Sequence, residues 1–464
     1  MTDMVMDPSK RYATKEDLMR LGVPLDFKEP YILVFKMVSD NGANIKSAWN
    51  DGERWVPCAD HTMELCTLPV TWVQKHKNES DAIPKGSVAE AYAHGRGIVG
   101  YLHVSVNAED DFHAAQRTCG LEQTKIDQDV KTRWRTAHNM GEQLVYNKQA
   151  ILEMDKNPAY KGVGETWGKN KISMLMWDYL EEGSAILNDA AWASQFLEGD
   201  KYSTSSLVIP MTFRMMATSS ALQAVKFLNR AEDEQNDDSL NPTMVSHSEL
   251  QDKIQAARQG LHEQLIDRFD TNVPLDVKKF WFISSMCDPR FKNLTFKHDR
   301  MLTNVMRTNA VKWFSAEFNR KYKGKFDKTT ATDGGAAGAG DTSGVEAPCA
   351  RHLKRRKTNA AGFFADSDEE EVEEDEVVED ELKAYLALPQ IKYKTEKDAM
   401  LWWQENEHRF PNIAVMARQY LGCPATSASV ERLFSQVGIA FSAKRKSGEA
   451  DTLADIMFAH ANLP

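Results

Sequence analysis

Residues 328–382 cannot build a core, and they separate a long N-terminal part of the chain from a short C-terminal part. Lys328 to Ala350 are mostly Gly, Ala, Thr and Asp, a basic cluster follows at Arg351 to Lys357, and an acidic tract runs from Asp366 to Glu381. Segments of low hydrophobicity and high charge stay disordered because they bury too little apolar surface. We therefore predict a protease-sensitive linker, with the ordered fold on either side of it.

The net charge of −11 originates in this linker. Its acidic tract holds twelve Asp and Glu residues and no basic residue, so the rest of the chain has a net charge of +1. Bulk charge argues neither for nor against nucleic acid. A surface that binds nucleic acid must be a local basic patch.

Composition also limits the compartment. Six cysteines without regular spacing indicate reduced thiols in a cytosolic or nuclear protein. There is no run of about 18 apolar residues, which predicts that the chain does not span a membrane.

Hydrophobic patterning predicts a short β-region followed by a long helical one. Tyr31 to Phe35 are typical of a buried strand, and Asn41-Gly42 of a turn. Two stripes at helical spacing predict buried helix faces, and Ser248 with Gln251 predicts a capping box before the second. The stripes are Met176, Leu180, Leu187, Ala191 and Leu250, Ile254, Ala257, Leu261, Leu265.

Six short motifs follow one another along the chain. They are Val38 to Lys46 with Asp40, Cys58-Ala59-Asp60-His61, Lys131-Thr132-Arg133-Trp134, Thr204 to Pro210, Cys287 to Lys292, and Ser427 to Ser435 with Glu431. In this order they resemble the landmarks of hAT-superfamily DNA transposases. Each motif is weak alone, but the ordered set is specific and covers roughly residues 30–464.

The resemblance implies a predominantly helical, mixed α/β fold: an incomplete RNase H-like core interrupted by a large all-α insertion. It implies a partial core at 1–68, a helical insertion at 69–327, the linker at 328–382, and a C-terminal dimerisation region at 383–464 that completes the core. Asp40 and Glu431 match two of the family's catalytic carboxylates. Cleavage of a phosphodiester by two Mg²⁺ ions would need a further carboxylate beside them.

The N-terminal part departs from the family pattern. Only 39 residues precede Asp40, and no segment among them resembles the one that carries the family's first aspartate. No Cys-x₂₋₄-Cys pair of a zinc finger occurs either. We therefore expect a truncated core, Asp40 and Glu431 as inherited positions, and no certain cofactor; an active chain would bind Mg²⁺ at these two carboxylates.

Simpler interpretations stand beside the family ones. Asp40 before Asn41-Gly42 is also typical of an ordinary turn. Cys58 and His61 are better explained as a packed structural pair than as zinc ligands, because two ligands do not make a site. Trp134 is equally consistent with a core residue and with base stacking, whereas Arg133 suits contact with a phosphate.

Two further sets of residues concern partners and location. The C-terminal aromatic and apolar residues predict a homodimer interface, because large aromatics dominate buried interfaces; they are Trp402, Trp403, Tyr420, Leu433 and Phe434. The basic cluster predicts nuclear import, with non-specific contact to nucleic acid as the alternative; its cations include Lys354, Arg355, Arg356 and Lys357.

These features favour a transposase-derived nuclear protein that homodimerises, associates with DNA and does not cut it. Two alternatives stay open: a fragment of an active cut-and-paste transposase, and a protein–protein scaffold without DNA contact.

Overall fold

The computed structural model describes residues 36–40, 42, 55–71, 83–129, 134–160, 163–227, 243–297, 299–324, 381–391, 398–432 and 435. Several sequence predictions lie outside these residues and stay predictions. They are the strand at Tyr31 to Phe35, Arg133, the linker up to residue 380 with Lys354, Arg355, Arg356 and Lys357, and the interface residues Leu433 and Phe434.

Helices make up most of the described chain. They are α1 (Ala59–Thr71), α2 (Val88–Val104), α3 (Val106–Thr118), α4 (Trp134–Tyr146), α5 (Lys148–Lys156), α6 (Glu165–Lys169), α7 (Met174–Leu197), α8 (Val208–Ser219), α9 (Asp252–Ile266), α10 (Leu275–Cys287), α11 (Asn304–Lys321), α12 (Glu381–Ala387), α13 (Ala399–Asn406) and α14 (Pro411–Leu421). The prediction of a predominantly helical chain with few strands is confirmed. Among the described residues, no helix has the length and hydropathy needed to cross a bilayer.

Four short strands form two separate pairs in the described chain. β1 (Met37–Ser39) and β2 (Trp55–Pro57) are parallel, with Val38 opposite Val56. β3 (Val225–Phe227) and β4 (Thr243–Val245) are antiparallel, with Lys226 opposite Met244. The first pair carries Asp40 at the end of β1, and the second forms part of a groove described below.

The predicted helical stripes lie on the core-facing sides of α7 and α9, except Leu250, which is buried but precedes α9. In α7, Leu180 and Leu187 are fully buried, and in α9 so are Ile254 and Leu265. The hydroxyl of Ser173 caps α7 by accepting the N–H of Met176 at 3.3 Å. Apolar residues at helical spacing thus place these two helices in one continuous core.

The predicted capping box at Ser248 and Gln251 is wrong. The box forms two residues earlier, where the carboxylate of Glu249 accepts the backbone N–H of Ser246 at 2.7 Å. Gln251 is instead the residue before α9, and its backbone N–H donates to Glu182 of α7 at 2.8 Å. A tertiary acceptor satisfies the N–H that the local pattern assigned to a cap.

Helix α1 packs closely on α9 and crosses the predicted domain boundary at residues 68 and 69. A Cβ on Gly260 would lie 3.1 Å from the Cβ of Pro69, so the two helices approach at a position without a side chain. The same helix follows β2 directly. It therefore connects the strand pair to the helical body.

Candidate functional site

The predicted carboxylate Asp40 directly follows strand β1. Its Oδ1 accepts the N–H of Gly42 at 3.2 Å, which is the local bond of a turn-forming aspartate. The preceding residue, Ser39, is buried, and its hydroxyl accepts the indole N–H of Trp55 at 2.9 Å. The strand end is therefore held by β2, while the half-buried Asp40 side chain serves the turn.

Cys58 links this strand end to the C-terminal region. Its N–H donates to the carbonyl of Ser39 at 2.7 Å, and its Sγ accepts the N–H of Ser427 at 3.3 Å. The next residue, Ala59, donates its N–H to the carbonyl of Ala425 at 2.9 Å. Burial raises the pKa of the Cys58 thiol, so it is held neutral as a packed acceptor.

The His61 side chain faces Glu64 and does not pair with the Cys58 sulfur. Its Nδ1 is 3.8 Å from the carboxylate of Glu64, one helical turn along α1. Among the described residues, no three His, Cys, Asp or Glu side chains converge as metal ligands. Cys58 and His61 are therefore two separately packed side chains.

Glu431 lies on the exposed side of a helical turn at residues 428–432. Its carboxylate accepts the hydroxyl of Ser427 at 2.8 Å, and its N–H donates to the carbonyl of Ser427 at 3.0 Å. Because Ser427 also bonds to Cys58, a path of hydrogen bonds runs from the end of β1 to the turn that carries Glu431.

A carboxylate pair that the sequence did not single out lies beside this path. Ser194 of α7 hydrogen-bonds to Asp60, and its hydroxyl is 3.2 Å from the carboxylate of Glu198. Arg135 pairs with Glu198 at 3.1 Å. Burial raises the pKa of Asp60, and burial followed by the charge of Asp60 raises the pKa of Glu198. One serine hydroxyl carries one proton, so the two carboxyls compete for a single donor.

Arg432 ties the Glu431 turn to the same end of α7. Its guanidinium donates to the carbonyl of Glu198 at 3.1 Å and to Asp200 at 3.2 Å. The sequence signals for this cluster were weak: Asp60 stands inside the Cys-x-x-His motif, and Arg135 follows the Arg-Trp pair by one residue.

Trp134 lies in the core. It is the first residue of α4 and only 2% exposed. Its neighbour Arg135 reaches the surface of the site, whereas a nucleic-acid base could reach the Trp134 ring only if the helix moved. The DNA-contact role of Arg133 and Trp134 stays a prediction.

Ser203 and the start of the motif at Thr204 to Pro210 cap the end of α14. The hydroxyls of Ser203 and Ser205 donate to the carbonyls of Leu421 and Tyr420 at 2.9 and 2.8 Å. Thr204 accepts the N–H of Ala425 at 2.9 Å. The last carbonyls of an α-helix have no partner within the helix, so these side chains satisfy groups that α14 leaves open.

The motif at residues 287–292 supports the same docking. Buried Asp288 accepts two N–H groups of Arg290, at 2.9 and 2.7 Å, and the hydroxyl of Ser206 at 2.8 Å. Lys292 donates to the carbonyls of Tyr385 and Leu386 at 2.9 and 3.1 Å, and burial lowers its pKa. The two motifs therefore bind each other and the C-terminal helices.

Two of the predicted interface aromatics are buried within the protomer. Trp403 is 1% exposed and donates its indole N–H to the carbonyl of Cys287 at 2.7 Å. Tyr420 is also buried and donates to Glu317 at 3.0 Å. Trp402 is half-buried against Trp403 and Phe410. Their role between two copies stays a prediction; within one copy they attach the C-terminal region to α10 and α11.

Comparison with known proteins agrees with this architecture. Residues 381–463 match the family model of the hAT family C-terminal dimerisation region. The chain is also 22% identical over 399 residues to human zinc finger BED domain-containing protein 4, an alignment that covers 86% of this chain and 28% of the relative.

The match and the docking together define a transposase-related protein with a C-terminal dimerisation region. Residues 381–463 of the chain are an hAT-type C-terminal dimerisation region. The chain spans little more than a quarter of the length of the relative that it matches.

Proposed function

We propose that this chain is an hAT-transposase-derived nuclear protein that homodimerises through its C-terminal region and associates with DNA without cutting it. The observation that carries the proposal is the attachment of the dimerisation region at Cys58, Ser203 and Ser205. This attachment fixes the region on the helical body, so a dimer formed through it would hold two helical bodies in a defined arrangement.

The fold proposed for the chain is an incomplete RNase H-like core with a helical insertion. The parallel pair β1–β2 and the turn at residues 428–432 would be parts of that core, because they are joined through Cys58 and Ser427 although they are far apart in sequence. Residues 69–327 would be the insertion. The proposed domains keep the boundaries 1–68, 69–327, 328–382 and 383–464.

The carboxylates in the described site do not fit a pair of Mg²⁺ ions. Asp40 accepts the N–H of Gly42, Glu431 accepts Ser427, and Glu198 is paired with Arg135. A two-ion mechanism needs a third carboxylate, and Asp60 could supply it only by giving up its hydrogen bond with Ser194. We therefore propose that Asp40 and Glu431 are inherited positions that do not support cleavage.

DNA association and nuclear location follow from the family and from sequence. The human relative is by its name a protein with a BED zinc finger. For this chain, contact with DNA is a proposal. The basic cluster at Lys354 to Lys357 would direct nuclear import.

Three measurements on the full chain test the proposal. Light scattering should give twice the monomer mass of 52.4 kDa. Titration of labelled DNA should give binding that weakens with salt, as phosphate contacts require.

Incubation with Mg²⁺ or Mn²⁺ should leave flanked duplexes intact, and nicking that disappears in both Asp40→Asn and Glu431→Gln would favour the active transposase. A dimer that binds no DNA at low salt would favour the scaffold.

A further inference from the structure

A groove of about 780 Å³ lies outside the carboxylate site, between α4, α7, α8, α9 and the β3–β4 pair. Its volume is within the range of about 300–1,000 Å³ that is usual for small-ligand sites. Five cations line it, against the two carboxylates Glu142 and Asp189. The cations are Arg135, Arg214, Lys226, Arg258 and Lys297.

Three of these cations have no carboxylate partner among the described residues. Arg135 is paired with Glu198, and Arg214 with Asp189 at 2.7 Å. Lys226 and Lys297, both exposed, form no ion pair with any residue that the structure describes. The groove therefore has an excess of positive charge, although the chain outside the acidic tract has a net charge of only +1.

Arg258 lies at the groove with its charge uncompensated. It is 1% exposed, and one of its terminal nitrogens donates to the carbonyls of Thr218, Ser220 and Gln223 at 2.9, 2.9 and 2.7 Å. The other nitrogen, Nη1, is buried without a hydrogen-bond partner in the described chain. Because Arg258 is buried beneath the groove wall, its charge adds to the positive potential of the groove without a direct contact to a bound anion.

A planar group lies in the same groove. The Arg214 guanidinium sits over the indole of Trp192, 4.5 Å from the ring centroid, and Asp189 holds it from the side. Arg214 remains 30% exposed. A guanidinium fixed in this way can stack on a nucleobase, since Arg planes and aromatic rings are the usual platforms for unpaired bases.

We propose that this groove binds single-stranded nucleic acid, with phosphates on Lys226 and Lys297, an unpaired base on Arg214, and the buried Arg258 adding positive charge from beneath the groove wall. The combination of separated cations with a stacking group is the arrangement that single strands require. An acidic peptide would use the cations but not the platform. The proposal rests on the proposed association with DNA and adds a location and a strand form to it.

The test uses the full chain and two matched double variants. Lys226→Gln with Lys297→Gln removes two groove cations, whereas Lys253→Gln with Lys312→Gln removes two exposed cations that do not line the groove. Both leave Arg258 in place, because a change at that buried residue could prevent folding. Fluorescence anisotropy with a labelled oligothymidine, and with a duplex of the same length, gives the affinities at several salt concentrations.

The groove variant should bind the single strand at least tenfold more weakly at low salt, and the control variant should match the unchanged chain. The slope of log K against log salt should also fall in magnitude by about 1.4, because each lost contact to a single strand removes about 0.7. Arg214→Lys, which keeps the charge and loses the plane, should weaken oligothymidine binding while binding of inorganic triphosphate is unchanged.

The other outcomes separate the two proposals. Equal binding by the groove and control variants, or binding of the duplex alone, would overturn the groove assignment and leave DNA association standing. Displacement of oligothymidine by a polyglutamate peptide at matched charge would make the groove a general anion site and would also overturn the proposal. A chain that binds neither nucleic acid would overturn both proposals.

Discussion

At the scale of single residues, Trp403 shows why an aromatic side chain in this region is ambiguous in sequence. Large aromatics favour interfaces and cores alike, because both bury apolar area. What decides between them is the partner of the indole N–H, here the carbonyl of Cys287 in α10. That partner is 116 positions away and has no local signal.

Replacing Trp403 by Phe should lower the free energy of unfolding by about 1–3 kcal/mol, because the buried carbonyl of Cys287 loses its donor. Urea unfolding followed by circular dichroism measures this. Leu401→Ala is the control: Leu401 is 52% exposed, so its loss should change stability by less than about 0.5 kcal/mol. Equal effects of the two changes would mean that Trp403 is not buried in solution.

Asp60 and Glu198 give a second residue-scale prediction, in which stability depends on pH. Burial raises the pKa of Asp60 and is the first cause of the raised pKa of Glu198. When the pKa of a carboxyl is higher in the folded state than in the unfolded state, the carboxyl contributes its full stabilisation at pH values below the unfolded-state pKa of about 4. This stabilisation is lost as pH rises through the folded-state pKa.

Asp60→Asn should therefore gain stability relative to the unchanged chain as pH rises from about 4 towards neutrality. Thermal unfolding at a series of pH values measures the difference between the two midpoints. Asp110→Asn, at an exposed position, is the control for the chemical change itself. A constant difference for Asp60→Asn would mean that this carboxyl is solvated.

At the scale of elements, the sequence predicted helices better than it predicted how they are held. The stripes in α7 and α9 were identified because residues three and four apart share a helix face. The motif at Thr204 to Pro210 was identified as a family landmark, but its capping role was not. Ser205 caps Tyr420 across 215 positions, and no local pattern contains such a partner.

Ser203→Ala combined with Ser205→Ala should loosen the end of α14. Two carbonyls lose their donors, at about 0.5–1.5 kcal/mol for each hydrogen bond. Hydrogen exchange of residues 411–432 should become faster, while exchange in α7 stays unchanged. Ser248→Ala is the control, because the box predicted there does not form. Slow exchange in the double variant would show that other contacts hold the helix.

At the scale of the whole molecule, the two parts separated by the linker form one core. The resemblance implied that the C-terminal region completes the core across the linker, and the family match covers that region alone. In the structure, Tyr385, Trp403 and Tyr420 belong to the same buried cluster as α10 and α11. The resemblance named Asp40 and Glu431 as candidate carboxylates, which stays a prediction, whereas the link through Cys58 and Ser427 depends on the assembled fold.

This shared core predicts that residues 383–464 do not fold alone. Outside the full chain, the buried faces of Trp403 and Tyr420 would be exposed, and the carbonyls of Tyr420 and Leu421 would lose their serine donors. The isolated segment should therefore unfold without a cooperative transition and bind a dye for apolar surface. The full chain should unfold cooperatively and scatter light as a dimer. A segment that is a folded dimer at micromolar concentration would contradict this, and would mean that contacts between copies replace those made to α10 and α11.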